Sequence, residues 1–145
     1  MIVVANAVGL PTDDPFRRDS LPAGYRFLVQ VSTQTIIEPA LLWLCHCFPP
    51  IRGRWRKITV SNAAYNLCDW WRFLENLNLT WTDVTEPDLI SYGNESMSLV
   101  SARTHEHLDI ETIRHRMRTV IAFYLSSPPP SRSGTPCTSR GQSKP

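Results

Sequence analysis

Residues 59–92, TVSNAAYNLCDWWRFLENLNLTWTDVTEPDLISY, and residues 107–125, HLDIETIRHRMRTVIAFYL, decide the fold. At the helical advance of about 100° per residue, Ala63, Ala64, Leu67, Trp70, Trp71, Leu74 and Leu77 share one broad stripe, with Phe73 at its edge. Asn62, Tyr65, Asp69, Arg72 and Asn76 fall opposite. So wide an apolar face predicts a helix buried against two neighbours. Ser61 or Asn62 is the expected cap at its start, and Asn78 is suited to the left-handed conformation that ends it.

Two further helices follow from capping signals. Thr85 before Glu86-Pro87-Asp88 combines an N-cap, a proline in the first turn and acids at the positive helix end. Leu89 and Tyr92 are its expected inward contacts, while Gly93 and Asn94 leave its end open. Residues 94–108 are polar and read as a loop or short helix. Asp109 caps the last helix, in which Ile110, Ile113, Met117, Val120, Ile121 and Tyr124 form the expected buried stripe. Arg114 and Arg118 lie one turn apart just off one edge of that stripe, and Arg116 lies off the other.

Outside this unit the text is weaker. Residues 1–24 carry acidic-proline clusters, Thr12–Pro15 and Ser20–Pro22, and read as irregular. Tyr25–Val31 is aromatic and β-branched enough for a short strand, and Pro39 suits the first turn of a helix to Phe48, stopped by Pro49-Pro50. Residues 1–50 are therefore an expected N-terminal arm, with strand 25–31 and helix 39–48. Residues 51–127 form the main domain. Residues 128–145, rich in Pro, Ser and Arg, cannot build a packed core and read as a disordered tail.

Net charge is +2 over 145 residues, which by itself points to no polyanionic partner. Its distribution is more informative. Residues 49–58 hold Arg52, Arg54, Arg56 and Lys57 with no acid, whereas residues 59–127 hold five arginines against nine acids. Any basic surface on the helical unit must be local. The four cysteines, Cys45, Cys47, Cys68 and Cys137, show no disulfide framework, and reduced thiols in the cytoplasm are expected. The longest apolar run, Ala40–Phe48, falls well short of the roughly 20 residues a membrane-spanning helix needs. No membrane partner is expected.

Cys45-His46-Cys47 invites a zinc reading, but adjacent helical positions send these side chains to different faces, so packing is the simpler role. His105-Glu106-His107 reads as a solvated loop. No phosphate-cradling glycine loop and no nucleophile elbow is present, and no metal or cofactor is expected. Trp55, inside the basic run from Arg52 to Lys57, reads first as part of a solvated linker. Arg114, Arg116 and Arg118 with His115 form the densest cationic helix segment. Such a segment is either a solvated face paired with acids or a helix laid into a major groove.

The order Ala64-Tyr65-x-Leu67-x-x-Trp70-x-x-Phe73-Leu74, then Trp81-x-x-Val84-Thr85-x-x-Asp88-Leu89-x-x-Tyr92, then Thr112-Ile113-x-x-Arg116-Met117-x-x-Val120-x-x-Phe123-Tyr124 resembles the core-binding domain of phage integrases and other tyrosine recombinases. The resemblance covers residues 58–125, about half of the chain. It implies an all-α, SAM-like four-helix bundle, and the strand-and-helix arm before it resembles the leader of some such integrases. It also implies a module that binds duplex DNA at a recombination half-site, with other recombinase subunits as further partners. Carried over by position, the DNA-contacting candidates are Arg56, Lys57, Thr59, Ser61, Asn62 and Tyr65 around the head of the first long helix. Thr112, Arg114, His115 and Arg118 join them from the last helix.

The family cuts DNA with a tyrosine held in a separate C-terminal domain. Only twenty residues follow Leu125 here, with no tyrosine or histidine among them. The expectation is a non-catalytic, truncated or frame-shifted member that binds DNA without cleaving it. The alternative is a helical protein-interaction module, suggested by the acidic excess of residues 59–127 and by Trp55 and Tyr65.

Overall fold

The computed structural model describes residues 1–8, 21–98 and 109–126. In chain order these form β1 (Ile2–Asn6), β2 (Arg26–Gln30), β3 (Thr35–Ile36), α1 (Glu38–Cys47), α2 (Lys57–Leu77), a single 3-10 turn at Trp81–Asp83, α3 (Glu86–Ser98) and α4 (Ile110–Ser126). The 128–145 tail, the Thr12–Pro15 cluster, the His105-Glu106-His107 triplet and Cys137 lie outside the described residues.

The strands correct the all-α expectation. They form a three-stranded antiparallel sheet in the order β1-β2-β3, so the fold is mixed α/β rather than a pure four-helix bundle. Ile2 pairs with Gln30, Val4 with Leu28 and Asn6 with Arg26. Val29 pairs with Ile36 across the 31–34 turn, where Gln34 adopts φ 55°. The physical reason for the miss is range. β1 is a five-residue strand stabilised by a partner twenty or more positions away, and so short a run carries no periodic signature of its own.

α2 is the element on which the other layers meet. Its buried residues are Val60, Ala63, Ala64, Leu67, Cys68, Trp70, Trp71, Phe73 and Leu74. Ile2, Tyr25 and Leu28 from the sheet and Ala40, Trp43 and Leu44 from α1 join the same cluster, as do Tyr92, Val120 and Phe123. The described strands and α1 of the expected N-terminal arm thus contribute side chains to the same core as α2, α3 and α4. Trp70 is fully buried and meets Phe73, Tyr92 and Tyr124 at ring separations of 5.5, 4.9 and 5.9 Å. Its indole N–H donates to Tyr124 Oη at 3.2 Å, and that hydroxyl donates to the Trp81 carbonyl at 2.7 Å. A buried aromatic with its polar atom satisfied combines large burial with a directed bond, which fixes α4 against α2.

Local signals set several boundaries. α2 ends with Asn78 at φ 56°, in the left-handed region. Thr85 leads α3, its N–H and Oγ1 both donating to Asp88 Oδ2 at 2.9 Å. Asp109 accepts the Glu111 N–H at 3.1 Å at the head of α4. The start of α2 departs from expectation: it lies at Lys57, its N-cap Arg56 makes no side-chain cap, and Ser61 and Asn62 lie inside the helix. Packing of Val60 against the core, rather than a cap, supports that first turn. On α4, Ile110 and Ile121 are exposed and Phe123 is fully buried, so the buried stripe is rotated from the expected one.

Candidate nucleic-acid interface

The solvent-facing stripe of α2 runs through Ile58, Asn62, Tyr65, Asp69, Arg72 and Asn76, positions spaced three or four apart. Different elements border it on its two sides. On one side Arg72 Nε donates to the Ile2 carbonyl of β1 at 2.8 Å. On the other, Asn66 Nδ2 donates to Thr119 Oγ1 of α4 at 3.0 Å. The stripe is therefore the floor of a shallow surface between the sheet and α4.

Strand periodicity explains the sheet side. Residues two apart point to one face, so Arg26, Leu28 and Gln30 of β2 share a face, and that face meets α2. Leu28 in the middle is fully buried. Gln30 reaches the tail of α2, where its side-chain N–H donates to Glu75 Oε2 at 2.9 Å, and this bond leads the causes that hold the Glu75 carboxyl below its ordinary range. Arg26 reaches the head of α2, where Nε donates to Ser61 Oγ at 3.1 Å and the guanidinium lies 6.0 Å from the centre of the Tyr65 ring. The Tyr65 ring is 54% exposed.

On the α4 side, Arg114, His115 and Arg118 are exposed. Arg114 pairs with Glu111 one turn earlier at 2.8 Å, with both groups more than half exposed, so this pair is worth only a few tenths of a kcal/mol. Among the described residues Arg118 has no ion-pair partner. Arg116 differs. It is only 21% exposed and lies 3.3 Å from Asp69 Oδ2, which also accepts the Tyr92 hydroxyl at 2.6 Å. Arg116 is a structural tie between α2, α3 and α4, and it neutralises the acid on the α2 stripe. Burial and this carboxylate push the Tyr92 phenol up.

The sequence-derived candidates can now be placed. Arg56, Lys57, Thr59, Asn62 and Tyr65 are exposed around the first three turns of α2, and Ser61 is half-buried beneath Arg26. From Lys57 to Asn66 α2 carries no acid, and its first turn has none to offset the positive helix end. Thr112, Arg114, His115 and Arg118 are all exposed on α4. The two groups are linked through Asn66 and Thr119, whose Oγ1 donates back to the His115 carbonyl at 3.0 Å. Arg26 is the member that sequence reasoning missed. Period-two alternation groups it with Leu28, but only the tertiary structure shows which element that face meets.

Other features hold no comparable group. Trp55 turns inward and packs edge-on against Tyr25 at 5.0 Å, which anchors the basic loop while Arg52, Arg54 and Arg56 stay exposed. An open groove of about 470 Å³ lies by the tail of α2, lined by Ile2, Trp71, Leu74, Glu75 and Trp81, and contains none of the candidates. Burial raises the thiols of Cys45, Cys47 and Cys68. Among the described residues no group of His, Cys, Asp and Glu is placed to hold a metal, and no helix is long and apolar enough to cross a membrane. Comparison with protein-family models, curated proteins and solved structures gave no match.

Proposed function

We propose that this chain binds duplex DNA through the stripe on the head of α2 and the cationic ridge of α4, in the manner of a recombinase core-binding module at a recombination half-site. One observation carries the reading. Asn62 and Tyr65 are exposed beside Asn66 on α2, the Asn66–Thr119 hydrogen bond brings the exposed His115 turn of α4 next to them, and the exposed Arg114 and Arg118 follow further round α4. Acids near this surface are already engaged, Asp69 by Arg116 and Glu111 by Arg114. Arginines on such a face contact phosphates and guanine edges, and Asn reads adenine. In this reading the module binds without cutting, acts in the cytoplasm, and other recombinase subunits share its site.

Duplex binding followed by fluorescence anisotropy across a salt series tests this. Each phosphate contact contributes about −0.9 to the slope of log K against log salt. Arg114→Ala with Arg118→Ala should weaken binding and flatten that slope by about 2, while leaving folding stability within about 0.5 kcal/mol. An unchanged slope removes the ridge from the interface.

A second reading, a helical protein-interaction module, has its own observation. Ile121 and Leu125 continue the Arg114–Arg118 stripe toward the end of α4 and are 42% and 82% exposed. Under that reading no anisotropy change occurs with DNA at any ionic strength.

A further inference from the structure

We infer that Arg26, carried onto the head of α2 by the sheet, is a phosphate contact, and that β2 therefore supplies one wall of the DNA-binding surface. The inference rests on the DNA-binding reading above and extends it to an element outside the helical unit.

The first support is the hydrogen-bond inventory. An arginine has five N–H donors in a planar fork. Arg26 uses Nε on Ser61, and among the described residues neither terminal nitrogen has a protein acceptor. No carboxylate among the described residues lies within ion-pair distance of it. The donors left over are those that engage a phosphate in bidentate fashion.

The second support is preorganisation. Arg26 is half-buried, fixed at its base by the strand pair Asn6–Arg26, at Nε by Ser61, and against the Tyr65 ring. Orienting this side chain on binding therefore costs little entropy. Its surroundings have the right sign. Lys57 is exposed on the first turn of α2, and its methylenes pass 3.8 Å from a Cβ placed on Gly24, the turn residue leading into β2. Gly24 sits at φ +88°, a conformation that favours glycine. Ser61 and Tyr65, candidates for direct contact from sequence, also position Arg26.

The test is the same anisotropy series on the full chain with Arg26→Gln and Arg26→Lys, each checked for an unchanged thermal midpoint. Arg26→Gln should weaken binding roughly five- to tenfold at 0.1 M salt and flatten the salt slope by about 1. Arg26→Lys keeps the charge, so its slope should match the parent while its affinity falls between the two. If both variants match the parent while Arg114→Ala/Arg118→Ala still weakens binding, the inference is overturned and the DNA-binding reading survives. If the parent chain fails to bind duplex at low salt, both fall together.

Discussion

On the sheet flank of α2, Arg26 is gripped by Ser61 and Tyr65, residues of a different element. Among the described residues of the α4 flank, Arg114 pairs with Glu111 on its own helix and Arg118 has no ion-pair partner. Both flanks carry cations, but only the first holds its cation through contacts with another element. The lesson concerns when ordering takes place. Arg26 is held in part by folding, whereas under the proposed function the α4 ridge would be ordered only by the DNA, so ridge residues should influence affinity with almost no effect on stability.

The largest effect that could break this comparison is on the sheet. Leu28 is fully buried between Arg26 and Gln30. Leu28→Ala should lower global stability by about 2–5 kcal/mol in chemical denaturation. Tryptophan fluorescence, dominated by residues of the shared core, and far-UV circular dichroism should shift together. If the fluorescence midpoint stays put, the sheet flank folds independently of α2 and cannot position Arg26 on it.

Alkaline titration gives a smaller effect and compares the flanks group by group. Tyr25 on the sheet flank donates to the Phe48 carbonyl at 2.7 Å, and burial pushes its phenol well above the ordinary value. Burial likewise pushes up Tyr92 on α3, and moves Tyr124 on α4 to about 12. A phenol near pKa 10 when unfolded and higher when folded stabilises fully below about pH 10. That contribution is lost as pH rises toward the folded value, because the folded state then holds more protons. Burial raises the thiols of Cys45, Cys47 and Cys68 with the same sign, so the decline begins near pH 9. Stability should therefore fall with rising pH by about 1.4 kcal/mol per pH unit for each buried phenol engaged. Tyr25→Phe and Tyr92→Phe should each remove about one such increment from the slope of denaturation midpoints between pH 10 and 11. A slope unchanged by Tyr25→Phe would mean that the sheet flank does not bury its phenol. The smallest effect belongs to the ridge, where Arg114→Ala with Arg118→Ala should leave that stability curve almost unmoved.

The same contrast explains what was legible in the sequence. On the α4 flank, boundaries follow from neighbours in the chain: Asn78 ends α2, Thr85 with Asp88 opens α3, and Asp109 opens α4. Candidates on helices could be grouped because helical spacing alone brings Arg114 and Arg118 to one side. On the sheet flank, pairing Ile2 with Gln30 is a long-range event with no local mark, and β3 is two residues long. The start of α2 at Lys57 has no side-chain cap and rests on tertiary packing, so the capping signals at Ser61 and Asn62 place it a turn late. Phe123 escaped the expected stripe because it faces α1 as well as α2, meeting Trp43 at 6.1 Å and Trp71 at 5.4 Å. Arg26 went unseen for a related reason: its partners lie on a helix whose relation to the strand no local pattern records.

Amide chemical-shift mapping of the isotope-labelled chain, titrated with a short DNA duplex at low salt, tests the central claim most directly. The account predicts saturable shifts confined to residues 57–66 and 111–119, together with the Arg26 guanidinium, all reversed by added salt. Shifts confined to α3 or to the groove beside Glu75 and Trp81, or no shifts at all, would contradict it.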